Sequence, residues 1–82
     1  METESSRQIL ARNVRLLRAV RNMSQEELAK AAGDYSQTGV SRIEQGHRWP
    51  EDGLLDRIAS AMGVTARDLL NPALLEVKAD GS

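Results

Sequence analysis

The sequence predicts an all-α fold of five short helices, and three observations carry that prediction. Apolar residues such as Leu10, Val14 and Leu17 recur at helical rather than alternate spacing. Strand signals are nearly absent, because β-branched residues are scattered and Phe is missing. Helix punctuation is dense: Ser24 and Thr65 each precede an acid by three residues, and Gly33, Gly46 and Gly63 follow apolar-periodic segments. At 82 residues the chain fits one domain with one modest core.

The first helix is expected over residues 6–22, after a flexible arm at residues 1–6. Leu10, Val14 and Leu17 form its apolar stripe, Leu16 and Val20 widen it, and Arg12, Arg15 and Arg18 make the other side basic. The second helix opens on the capping box Ser24-Gln25-Glu26-Glu27, in which the Ser24 hydroxyl and the Glu27 carboxylate each satisfy an orphan amide at the other's position. Leu28, Ala29 and Ala32 form a short inward face, and Gly33 stops the helix.

After a turn at Asp34-Tyr35, Ser36 is the expected N-cap of a third helix over residues 37–45, which ends at Gly46. Only Val40 and Ile43 look inward from it. A short polar helix on two apolar anchors has the make-up of a surface that reads another molecule. Trp49-Pro50 then breaks the chain. A fourth helix, about residues 52–62, carries Leu55, Ile58, Ala59 and Met62 on one face and stops at Gly63. A fifth begins at Thr65, paired with Asp68 in a second capping box, and ends at Asn71-Pro72. The domain is thus expected over residues 7–70, with a tail or linker at 71–82.

Composition narrows the function. The chain has no Cys, and His47 is its only imidazole, so neither a thiolate nor a histidine-rich metal site can form. No nucleophile–base pair, carboxylate dyad or phosphate-cradling Gly loop is present, so neither catalysis nor a cofactor is expected. No apolar run approaches the roughly 20 residues that span a bilayer, and the start METESS is not a signal peptide, which points to a cytoplasmic protein with no membrane partner. The net charge of −1 hides an asymmetry: eight bases against six acids from Met1 to Pro50, then three against six from Glu51 to Ser82. A positive working face therefore belongs to the first half.

Two short helices joined by a Gly-containing turn, the second of them polar, are the signature of a helix-turn-helix. Residues 14–70 resemble the Cro and phage-repressor family, also called the xenobiotic-response-element (XRE) family. The resemblance rests on Leu17-Arg18, Ser24 to Ala29, Ser41 to Gly46, Pro50, and Ala59 to Val64, spaced elements that must coincide. It implies a five-helix, lambda-repressor-like domain that binds double-stranded DNA as a homodimer, most readily as a repressor on a palindromic operator. The third helix would lie in the major groove while the second crosses the backbone.

Carried over position by position, the resemblance makes Gln37, Thr38, Ser41 and Arg42 the base-edge candidates, Gln suiting adenine and Arg guanine. Gln25, Ser36, His47 and Arg48 become phosphate candidates. It couples Arg18 to Glu44 as a structural pair. Leu69, Leu70, Leu74 and Leu75, an apolar group beyond the expected core, are the candidate dimer interface. Trp49 reads as a packing lid over the third and fourth helices. Gly39, inside a helix, implies either close approach to the groove or helix packing. The chain departs from the family pattern in one extra residue between Gly33 and Val40, and in Asp52 and Asp56 where apolar residues are usual. Two other settings fit the same sequence: an antitoxin whose main partner is a protein, with DNA binding secondary, and the N-terminal part of a regulator fused to a sensor domain.

Overall fold

The structure, a computed structural model, describes residues 5–33, 36–51 and 53–74. Within them five helices follow in order: α1 (Ser6–Val20), α2 (Gln25–Ala31), α3 (Gln37–Glu44), α4 (Leu54–Ala61) and α5 (Ala66–Leu69). No strand occurs among the described residues, so the all-α expectation holds. Nor is any described helix long and apolar enough to cross a membrane.

Local chemistry sets each boundary. The expected arm ends sooner than residue 6, because Ser5 caps α1: its hydroxyl accepts from the Gln8 amide at 3.2 Å, and the Gln8 side chain accepts from the Ser5 amide at 3.1 Å. At its other end α1 is shorter than expected. Asn22 adopts a left-handed φ of 59°, and the Met23 amide closes back on the Arg18 carbonyl at 3.0 Å. Asn tolerates that conformation better than most residues. Both foreseen capping boxes are present, Ser24 with Glu27 and Thr65 with Asp68. Ser36 caps α3, accepting from the Gly39 amide at 3.1 Å.

α4 departs most from expectation. It starts at Leu54 rather than near residue 52, after Gly53 in a left-handed turn (φ 82°) with no side-chain cap. That start puts Leu54, Ile58 and Met62 on one stripe at i, i+4 and i+8. Leu54 is therefore the buried residue, and Leu55 only half-buried.

The core draws Leu10, Val14 and Leu17 from α1, Leu28 and Ala29 from α2, Val40 and Ile43 from α3, the α4 stripe, and Leu69 from α5. α2 and α3, of seven and eight residues, are too short to persist alone. Burial of Leu28, Val40 and Ile43 at 1% exposure or less holds them, each such side chain stabilising by about 1.5–3 kcal/mol. α3 packs against both α1 and α2, while α4 packs on α2 and α5. Gly39 is buried within the chain itself, which favours the packing alternative for this residue.

Two α1 residues overturn the expected stripe: Leu16 is 40% and Val20 65% exposed. The stripe's inward place is taken by Asn13, only 1% exposed, whose amide donates to the carbonyls of Leu69 at 2.9 Å and Asn71 at 2.8 Å. The segment after α5 is therefore tied to α1, and Leu74, 3% exposed, closes the core instead of starting a tail. Trp49 is 39% exposed and lines a shallow cleft with Ser5, Ser6 and Arg7 at the start of α1.

Candidate nucleic-acid interface

Glu44, in the last turn of α3, is the point where three helices meet. Its carboxylate, 4% exposed, accepts from Arg18 Nε at 2.6 Å and Nη2 at 3.0 Å, both from α1. It also accepts from Gln25 Nε2 of α2 at 3.0 Å. The Glu44 backbone carbonyl accepts from Arg15 Nη1 at 3.2 Å. A carboxylate this buried needs such partners, since a two-pronged guanidinium and an amide together compensate the lost water. The hydrogen bond to Glu44 raises the Arg18 pKa above its ordinary value, with a smaller Coulombic contribution from the same carboxylate, against burial, which lowers it. The end of α3 is thus fixed to α1 and α2 by these groups.

On the outer side of α3 the sequence-derived reading residues come together. Gln37, Thr38, Ser41 and Arg42 line one shallow cleft of about 420 Å³ with Gln25 and Gln45. Gln37, Thr38 and Arg42 are exposed and Ser41 half-buried. Gln37 Nε2 donates to Gln25 Oε1 at 3.5 Å, the long end of hydrogen-bond range. Ser41 Oγ accepts from Gln45 Nε2 at 3.1 Å. Arg42 forms no ion pair among the described residues. The cleft is therefore lined by amide, hydroxyl and guanidinium groups, the types that pair with base edges.

The phosphate candidates divide. Gln25 sits in the cleft, but one of its N–H groups is committed to Glu44. The Ser36 hydroxyl accepts from the Gly39 amide and retains its own proton to donate. Exposed His47 follows the α3 stop, where Gly46 takes φ 77° and the His47 amide returns to the Arg42 carbonyl at 2.9 Å. Arg48 bonds Glu51 Oε2 at 3.1 Å. That surface pair is worth at most about 1 kcal/mol and yields readily to a phosphate.

The interface candidates are largely relocated. Leu69 is fully buried and Leu74 nearly so in the chain's own core, because Asn13 draws their segment onto α1. Leu70 is half-buried against that core, and Leu75 lies outside the described residues. Residue types alone did not reveal three further positions. Arg21 Nε donates to the Met62 carbonyl at 3.0 Å and Arg57 Nε to the Ala32 carbonyl at 2.9 Å. Together with Arg15 on Glu44, arginines thereby satisfy carbonyls at the ends of α4, α2 and α3. The only sequence signal for Asn13 was a polar residue inside an apolar stripe.

A short polar helix held rigidly behind and open in front, preceded by a capped helix, defines a helix-turn-helix DNA-binding domain. The sequence model of the family described as Helix-turn-helix matches residues 14–69. The chain is 39% identical over 72 residues to a hypothetical transcription factor of Neisseria meningitidis serogroup B, covering 87% of this chain and 66% of that relative's length. Among solved structures, the hypothetical transcription factor NHTF from Neisseria is 34% identical with a TM-score of 0.78, over 96% of this chain and 93% of that one. The clp gene regulator ClgR from Corynebacterium glutamicum is 25% identical with a TM-score of 0.79, over 98% of this chain and 84% of that one. The chain belongs to the XRE-type helix-turn-helix family. Its matched residues form the DNA-binding domain of a transcription regulator.

Proposed function

We propose that the chain acts in the cytoplasm as a repressor, binding a palindromic operator as a homodimer with α3 in the major groove. The observation that carries this reading is the one cleft that unites Gln37, Thr38, Ser41 and Arg42 on the outer side of α3. In this reading Gln37 pairs with adenine, Arg42 with guanine, and Thr38 and Ser41 complete the base contacts. Ser36, His47, Arg48 and the remaining N–H of Gln25 hold phosphates on either side.

One eight-residue helix reads too few base pairs to single out a genomic site, and two copies on half-sites about 34 Å apart solve that. Exposed Leu16 and Val20 and half-buried Leu70 support a self-association surface on the α1–α5 side. Leu16 and Val20 lie one and two turns along α1 from Asn13, which bonds the chain beside Leu70. Occupancy alone excludes polymerase from an overlapping promoter, so repression needs no surface beyond these. Selection of bound duplexes from a random pool, followed by footprinting, tests the whole reading. Two inverted half-sites one helical turn apart are expected; a single unpaired site would remove the dimer, and no enrichment would remove specific reading.

A further inference from the structure

We propose that the DNA strand beside α3 continues into the cleft between α1 and the end of α3, where Arg15 neutralises one backbone phosphate with His47 alongside. This rests on the reading of α3 as the groove-reading helix.

The cleft, about 890 Å³, shares Gln25, Ser41 and Gln45 with the reading surface, so the two form one continuous face. A duplex seated on Gln37 and Arg42 must run along that face. Duplex DNA carries a charge about every 1.7 Å of its axis, so whatever wall it passes meets phosphates.

The charge of the cleft fits that occupant. Arg12, Arg15 and Arg18 line it against one carboxylate, Glu44, in a chain whose net charge is −1. The excess is therefore local and does not reflect overall basicity. Arg18 is spent on Glu44, and Arg12 donates to the Pro72 carbonyl at 2.9 Å. Arg15 differs from both. It is exposed, and its partner among the described residues is a backbone carbonyl, Glu44 O at 3.2 Å, which holds a single prong of the fork and leaves the charge uncompensated. A guanidinium tethered at one nitrogen is oriented in advance and still presents its other donors to a phosphate. His47, on the same cleft just past the α3 stop, adds a ring N–H donor.

The test compares wild type with Arg15→Ala and Arg15→Gln on the selected duplex and on random duplex over a salt series. Arg15→Gln keeps a side-chain amide donor and the helical stem but has lost the charge. In both variants the log–log salt slope should become shallower by about 0.9 per protomer. Base preference should be unchanged, and Arg15→Gln should melt close to wild type. A wild-type slope in both variants would overturn the inference. So would a slope restored by Gln but not by Ala, since Arg15 would then serve only the α3 terminus. Absence of duplex binding by wild type would instead remove the reading of α3 itself, a result distinguishable from either.

Discussion

Arg18 and Glu44 form a two-pronged ion pair, at 2.6 and 3.0 Å, that joins the first helix to the end of the reading helix. The two partners are unequally placed: the Arg18 side chain is 19% exposed and that of Glu44 only 4%. Arg18→Ala would strand a buried carboxylate with one amide partner and should cost about 3 kcal/mol. Glu44→Ala should cost less, since Arg18 can turn to water, yet it should lower both melting temperature and DNA affinity. Thermal melts of the two variants check the order. A Glu44→Ala protein as stable as wild type but unable to bind would place Glu44 on the DNA. Because the Arg18 pKa is raised, its share of stability is present throughout the neutral range and lost only above the ordinary arginine range.

Asn13→Ala should release the segment after α5. Two carbonyls, of Leu69 and Asn71, lose their donor, a cost of about 2 kcal/mol, or about 10 °C in melting temperature for a domain of this size. Scanning calorimetry is the measurement. An unchanged midpoint would mean that water replaces the amide without loss.

Gly46→Ala isolates backbone conformation. A Cβ at Gly46 would meet nothing within 4 Å, yet φ is 77°. The cost should therefore be conformational alone, about 1 kcal/mol, visible as a lowered urea midpoint with an unchanged slope.

Self-association through the α1–α5 side is tested at Val20, which is 65% exposed and so can be changed without disturbing the core. Val20→Glu should sediment as a monomer at concentrations where wild type is a dimer. An unchanged dimer would move the interface elsewhere.

Much of this was legible in the sequence because capping chemistry is local. Ser24 with Glu27, Ser36, Thr65 with Asp68, and the glycine stops at 33, 46 and 63 each act within a few residues, so pattern and structure agree there. The polar face of α3 was legible for the same reason: Val40 and Ile43 are its only large apolar side chains and both turn inward. What the pattern missed depends on long-range partners. Leu16 and Val20 fit a helical stripe, but the neighbouring helices cover only the side that holds Leu10, Val14 and Leu17. Leu69 and Leu74 looked spare because nothing local shows that Asn13, more than fifty residues earlier, draws their segment in. The arginines that satisfy the ends of α2 and α4 are likewise invisible without the fold.

The central claim, that α3 reads bases while the loop after it holds the backbone, is tested most directly by base preference in three variants. Gln37→Ala and Arg42→Ala should each cost roughly 1–3 kcal/mol on the selected operator and relax preference at one or two base pairs per half-site, with affinity for random DNA nearly unchanged. Arg48→Ala should weaken binding to every sequence alike and make the salt slope shallower by about one unit for each phosphate no longer neutralised. If Arg48→Ala changed which bases are preferred while Gln37→Ala and Arg42→Ala did not, α3 would not be the reading element.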